Sequence, residues 1–174
     1  MSNTYRLHPE HENINEWLSI SNTGTTVLLT VLGLSGSRIA QSSKEKELII
    51  WLVEHDQIVR GFGNVGFDIS DIPWSYTNFE YEKEFFIKVI DGAKQKLGWE
   101  TLDYKPNVEI IFPFLDTLRK MINVFEYYYI NKEAYSSWLK ESEDQRFSIP
   151  KDFPVCEKHG ILLYWHGCIG CNNK

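Results

Sequence analysis

The side chains best suited to metal binding lie together near the end of the sequence. A Cys-x-x-His pair, Cys156 and His159, is followed after eight intervening residues by a Cys-x-x-Cys pair, Cys168 and Cys171. Two residues between the members of a pair allow a tight turn that brings both side chains to one ion. Zinc accepts four sulfur and nitrogen donors in a tetrahedron, so this spacing predicts a zinc site.

Four protein ligands would complete the coordination of such an ion. A catalytic zinc keeps one position for water or substrate, whereas a structural zinc does not. The sequence therefore predicts that the metal holds the C-terminal residues in place and does no chemistry. His166 is an alternative nitrogen ligand, but it lies only two residues before Cys168, where the local geometry would be strained. The sequence favours His159.

A second candidate for chemistry is His55, which lies between Glu54 and Asp56, with Asp68 and Asp71 farther along. A histidine and several carboxylates can transfer protons or bind a catalytic metal. Adjacent residues of a helix point in different directions, however, so the triplet is not expected to converge on one ligand. A hydrolase therefore stays as an alternative that needs a pocket joining His55 to Asp68 or Asp71.

Carboxylates and aromatic rings alternate between residues 67 and 84, in a loop and the start of a helix. Rings that supply buried area, surrounded by charges that steer association, are typical of a surface that binds a basic protein. The competing interpretation is structural, because acids in a first helical turn suit the helix dipole. The predicted partner-binding residues are Asp68, Asp71, Trp74, Tyr76, Glu80 and Glu84.

The composition is typical of a folded globular protein, with 174 residues, 43% hydrophobic residues and 24% charged residues. The formal net charge is -6, which on average repels phosphate backbones. Nucleic acid is therefore an unlikely partner, although a zinc-dependent nucleic-acid-binding or regulatory module remains an alternative. The longest unbroken apolar run, residues 48–53, is too short to span a bilayer, and the N-terminus lacks a signal segment. Together with thiolate ligation, these features predict a cytoplasmic protein.

Apolar spacing predicts a mainly α fold with a minor β part (α+β). The expected division is one helical domain over residues 1–150 and a zinc knuckle over residues 151–174. Residues 1–22 are expected to be irregular around one helical turn near 16–18, and the glycine-rich stretch near 58–70 is expected to form a short β-hairpin. Residues 25–40 are expected to be helical, although their apolar spacing also fits a buried strand. The other predicted helices cover residues 46–55 after a Ser42/Glu45 capping box, 79–97 after a Thr77/Glu80 cap, a segment after Asn107 that Pro113 starts or kinks, and a segment from Asn131 to about Lys140.

Three segments within residues 44–125 resemble small Gram-positive bacterial immunity or antitoxin proteins, which accompany polymorphic toxins. They are Trp-Leu-Val-Glu-His-Asp at 51–56, the segment from Gly66 to Trp74, and Gly-Trp-Glu at 98–100. This resemblance implies a compact, acidic, non-catalytic protein that occludes the active site of a toxin. If the toxin domain is basic and nuclease-like, the acids that would stand in for phosphate charge are Asp68, Asp71, Glu80 and Glu84.

Overall fold

The computed structural model describes residues 2–7, 17–60, 65–143 and 152–172. It is mainly helical with one antiparallel strand pair, so the predicted fold class is confirmed. The strands are β1 (Ser2–Tyr5) and β2 (Leu18–Ser21), and the helices are α1 (Asn22–Ile39), α2 (Ser43–Val53), α3 (Gln57–Arg60), α4 (Phe79–Lys94), α5 (Val108–Val124), α6 (Ala134–Glu143) and α7 (Ile169–Asn172). Single 3-10 turns lie at Ile69–Asp71, Trp99–Thr101 and Tyr127–Tyr129.

Helix α1 is the centre of the fold, since α2, α4 and α5 all pack against it. A helix surrounded in this way must be apolar or small on most of its faces. About two and a half turns of α1 meet this condition, because every residue from Leu28 to Gly36 is buried. Helix α1 therefore supports the elements that pack against it.

One of the predicted helix caps is confirmed and another is wrong. The predicted box at the start of α2 is confirmed: Ser42 Oγ accepts the Glu45 N–H at 3.2 Å, and Glu45 Oε2 accepts the Ser42 N–H at 2.9 Å. The cap predicted at Thr77 is wrong, because α4 begins after Asn78 without a side-chain capping bond. Pro113 lies inside α5 and not at its start. Asn107 caps the start of α5, because its side chain accepts the Glu109 N–H.

The strand pair lies at the N-terminus, with Ser2 opposite Ser21 and Tyr5 opposite Leu18. The irregular chain expected over residues 1–22 is therefore wrong for residues 2–5 and 18–21, and residues 1 and 8–16 lie outside the described residues. The hairpin expected near 58–70 is also misplaced: residues 57–60 are helical, 69–71 form a 3-10 turn, and 61–64 lie outside the described residues.

The reason is that the extended segment after residue 64 pairs with the N-terminal chain instead of with itself. The Ile69 N–H donates to the Arg6 carbonyl at 2.7 Å, and the Val65 N–H donates to Asn3 Oδ1 at 3.0 Å. Gly66 permits this approach, since a Cβ there would lie 1.9 Å from the Thr4 carbonyl oxygen. Such a pairing joins residues about sixty positions apart, which local spacing does not predict.

Among the described residues, no helix combines the length and the apolar character needed to cross a membrane.

Candidate metal centre

The first ligand pair lies in a turn between two short backbone arms. The Leu163 N–H donates to the Pro154 carbonyl at 2.9 Å, and the Cys156 N–H donates to the Ile161 carbonyl at 2.8 Å. The Gly160 N–H closes the turn on the Cys156 carbonyl at 2.7 Å. This compact turn brings the side chain of residue 159 back towards that of residue 156.

The second pair follows a reversal of the chain at residues 164–167, where Tyr164 and Gly167 exchange both backbone hydrogen bonds. Gly167 has φ 89°, a left-handed conformation that favours glycine. Helix α7 begins directly afterwards, and the Cys171 N–H bonds the Cys168 carbonyl at 3.1 Å. One helical turn therefore presents the two thiols on the same side.

The four candidate ligand atoms form a compact group in which all separations are within 4.8 Å. His159 Nδ1 lies 3.5 Å from the sulfurs of Cys168 and Cys171 and 3.8 Å from that of Cys156. The sulfurs of Cys156 and Cys171 are 3.8 Å apart. A zinc tetrahedron with ordinary bond lengths has edges of about 3.8 Å between sulfurs and about 3.5 Å from sulfur to nitrogen. The group can thus hold one metal ion at the distances that zinc requires.

Backbone amides donate to the sulfurs in the same pattern on both sides of the site. The amides of His159 and Lys158 bond the Cys156 sulfur and lower the pKa of that thiol. Burial raises the pKa of Cys168 to about 11, although the amides of Cys171 and Gly170 oppose this rise. Because a bound dication deprotonates its thiol ligands, the amides and the metal would act together to hold both sulfurs as thiolates.

The structure places His159, and not His166, with the three cysteines. The His166 ring instead lies against Trp165, with 4.5 Å between ring centroids, and faces a separate cavity. Gly170 is a further residue of the site that spacing alone did not identify. A Cβ at this position would lie 3.0 Å from His159 Nδ1 and 3.1 Å from its Cγ, so any larger residue would push against the ligand ring.

The knuckle formed by residues 154–172 packs on α1. Ile161, Cys168 and Ile169 are buried in one cluster with Leu34 and Val53. Gly33 on α1 makes room, since a Cβ there would lie 2.6 Å from Ile169 Cδ1, and Ser37 Oγ accepts the Leu162 N–H at 3.2 Å. The metal centre therefore joins the C-terminal segment to the central helix.

His55 has the opposite character, because its ring is engaged inside the protein. Its Nδ1 bonds the Trp51 carbonyl at 2.7 Å, and Nε2 faces the Arg60 guanidinium at 3.4 Å. Burial, reinforced by the charge of Arg60, lowers the pKa of His55 to about 3. Its flanking acids turn elsewhere: Glu54 Oε2 accepts the Trp138 indole N–H at 3.2 Å, and Asp56 Oδ1 accepts the Thr26 hydroxyl at 3.3 Å.

A cavity of about 190 Å³ does join His55 to Asp71, together with Arg60, Asn131 and Ser137. Asp71 is held within it, because its Oδ1 accepts the Asn131 amide at 3.0 Å and its Oδ2 accepts the Asp68 backbone N–H at 3.3 Å. Both side chains already have internal partners, and the lowered pKa of His55 makes its imidazole a weak base near neutral pH.

The predicted partner-binding residues divide into two groups. Asp68 is buried and receives a two-point ion pair from Arg6, at 2.9 and 3.2 Å. Trp74 is buried among Phe79, Phe86 and Phe125, and its indole N–H donates to the Ile69 carbonyl at 2.8 Å. Asp68 and Trp74 therefore hold the loop onto the core and are not available as an open surface, whereas Asp71 is half-buried.

Tyr76, Glu80 and Glu84 are exposed. Tyr76 and Glu80 line an open groove of about 460 Å³ together with Tyr81 and Tyr127, two residues outside the predicted partner-binding set. Tyr76 and Tyr127 meet edge to face at 6.2 Å, and Tyr128 extends the same ring series. The uninterrupted run Tyr127–Tyr129 between α5 and α6 was the available signal for this surface.

Comparison with family models, with curated proteins and with solved structures gives no match to this chain.

Proposed function

We propose that this is a non-catalytic protein-binding protein of the immunity or antitoxin kind, which captures a basic protein through the tyrosine groove. The groove is defined as Tyr76, Glu80, Tyr81 and Tyr127, with Tyr128 at its edge. The observation that carries the proposal is the exposure of its four tyrosines, each between 45% and 59%. Tyrosine gives a large, rigid contact area, and it is enriched where protein interfaces concentrate their binding energy.

Charge favours a basic occupant. Glu80 and Glu84 are exposed beside the groove, and the whole chain has a net charge of -6. Lys83 Nζ is engaged, because it donates to the Phe125 carbonyl, whereas the exposed Lys132 has its Nζ 5.3 Å from the centre of the Tyr76 ring. Carboxylates around an aromatic patch speed the approach of a basic protein, so association should weaken as salt is raised.

The metal in this proposal is zinc, with a structural role. The four donors are of the types and at the distances that a closed zinc tetrahedron uses. Bound zinc would fix residues 154–172 on α1 and leave no position for substrate. Thiolate ligands persist in a reducing compartment, which favours a cytoplasmic location.

A position-specific photocrosslinking experiment tests the partner. A photoreactive phenylalanine derivative replaces Tyr127 in one variant and the exposed Tyr104, which lies outside the groove, in the matched control. In cells of the native organism, we expect Tyr127 to give a discrete adduct with a protein of basic composition, and Tyr104 to give none. Glu80→Lys with Glu84→Lys should remove the adduct.

The identity of the captured protein then tests the immunity proposal. Expressed alone, that protein should arrest growth, and co-expression of this chain should restore growth. An acidic adduct protein, or equal crosslinking from both positions, would reject the tyrosine groove as a basic-partner surface. A basic but harmless adduct protein would retain protein binding and reject the immunity role.

A further inference from the structure

The three cysteines of the metal centre differ in their access to solvent. Cys168 is only 4% exposed and is buried in one cluster with Leu34 and Val53. Cys171 is exposed and Cys156 is half-buried. The centre therefore has one sulfur protected against the helical body and two sulfurs that a small solute can reach from the solvent.

The two accessible sulfurs are also close to each other. Their separation is 3.8 Å, so they would have to approach by about 1.8 Å to reach the length of a disulfide bond. A bound dication holds its cysteine ligands as thiolates, and the thiolate is the form of cysteine that attacks an oxidant. Oxidation of cysteine follows thiolate character and exposure, and both favour this pair over Cys168.

We propose that Cys156 and Cys171 are a site of oxidation by hydrogen peroxide, at which a disulfide forms and the metal is released. This inference rests on the structural zinc of the proposed function. The Cys171 sulfur attacks one peroxide oxygen, the O–O bond breaks, and the departing hydroxide takes a proton to become water. The Cys156 thiolate then attacks the resulting sulfenic acid at sulfur, and the S–O bond breaks to release the second hydroxide, again protonated to water.

The two steps balance as two thiolates, two protons and one peroxide giving one disulfide and two waters. The sulfurs lose two electrons in all, and the peroxide oxygens gain them. The disulfide removes two of the four candidate ligands and leaves His159 and Cys168. Two ligands hold zinc far more weakly than four, so the ion leaves. Because Cys168 stays a thiol, a reductant that reopens the disulfide restores the complete ligand set.

The test treats the zinc-loaded full chain with hydrogen peroxide near neutral pH, in the absence of reductant. A zinc-sensitive dye follows metal release, and peptide mapping after alkylation of the remaining thiols locates the disulfide. Trypsin cuts after Lys158, so Cys156 lies in peptide 152–158, and Cys168 and Cys171 lie together in peptide 159–174. We expect equal amounts of released zinc and of disulfide, with the two peptides linked at Cys171 and the alkyl group on Cys168. Dithiothreitol followed by zinc should return the metal content to its starting value.

A Cys171→His variant keeps a nitrogen ligand for zinc but leaves only the buried Cys168 to pair with Cys156. It should release zinc more slowly than the unaltered chain at the same peroxide concentration, and an equal rate would overturn the proposal. If this variant does not bind zinc, the peptide map of the unaltered chain decides the question.

In that map, a disulfide that includes Cys168, sulfinic acid without a disulfide, or full retention of zinc would overturn the proposal. The starting zinc content separates this inference from the proposed function. A chain that holds no zinc before peroxide is added rejects the structural zinc itself, whereas a zinc-loaded chain that gives the wrong products rejects only the oxidation site.

Discussion

The metal centre and the Glu54–Asp56 turn contain similar kinds of side chain, but they place them at different spacings. In the metal centre, ligands three positions apart return to one point after each turn, and all four donor atoms lie within 4.8 Å. In the Glu54–Asp56 turn, the three neighbours diverge to Trp138, Trp51 and Thr26. The contrast teaches that residue spacing, more than residue type, decides whether polar side chains converge on one ion or form separate hydrogen bonds inside the protein.

The largest expected effect is the loss of bound zinc when His159 is substituted, with a substitution of His166 as the control. His159→Ala should reduce bound zinc from about one per chain to a small fraction, because three ligands and water bind far more weakly than four ligands. His166→Ala is the matched control, since its ring lies outside the ligand group, and it should keep its zinc. Elemental analysis of protein purified under reducing conditions measures both.

Hydrogen exchange shows which part of the chain depends on the metal. In His159→Ala, residues 152–172 should lose protection while α1, α4 and α5 keep theirs, because those helices have their own buried core. Loss of zinc in the His166 variant instead would reassign the ligand, and the absence of metal from the unaltered chain would remove the centre altogether.

The pH dependence of stability tests the burial of His55 in the Glu54–Asp56 turn. The pKa of His55 is lowered from 6.5 to about 3 in the folded chain, so the unfolded chain binds the extra proton between these values. The free energy of unfolding should therefore fall as the pH drops below about 6.5, by up to about 1.4 kcal/mol per pH unit from this group.

His55→Gln removes that contribution. Urea unfolding of both proteins between about pH 6.5 and about pH 5 should give a stability difference that narrows as the pH falls. A constant difference would show that His55 titrates normally. Zinc content should be the same in both, and a lower content in the glutamine variant would place His55 in a metal site.

Alanine substitutions at two glycines distinguish the effect of steric contact with His159 from the effect of backbone strain. Gly170→Ala brings a methyl group to 3.0 Å from His159 Nδ1, so zinc affinity should fall by roughly tenfold, as for other changes next to a ligand. Gly167→Ala has open space but a φ of 89°, so it should cost about 1 kcal/mol of stability and leave zinc affinity nearly unchanged. Competition with a chelating dye and thermal unfolding measure these effects. Equal losses of affinity would contradict the close packing at residue 170.

The sequence was sufficient to predict that the four candidate ligands lie together, because their geometry is local. A turn of two residues determines where Cys156 and His159 meet, whatever the rest of the chain does. The apolar spacing of α4 is local in the same sense, and the helix spans Phe79–Lys94 within the predicted range 79–97. Such features depend on a few adjacent residues, so spacing alone predicts them.

The environment of Asp68 and Trp74 was not predictable in that way. Asp68 meets Arg6, 62 positions away, because the segment after residue 64 pairs with the N-terminal chain. Trp74 turns inward because the loop closes over Phe79 and Phe125. An alternating acidic and aromatic pattern has no local rule that decides which members face the core.

The smallest expected effect tests that division between Asp68 and Glu80. Asp68→Asn loses a two-point ion pair whose arginine is 57% exposed, and solvent screening limits the cost to about 1 kcal/mol. Glu80→Gln changes an exposed side chain and should stay within about 0.5 kcal/mol of the unaltered chain. Urea unfolding measures both, and binding of the captured partner should show the reverse order. The contrary outcome is that Asp68→Asn lowers the affinity for the partner more than Glu80→Gln does, with stability unchanged. The buried carboxylate would then belong to the binding surface, and the loop would have to open to expose it.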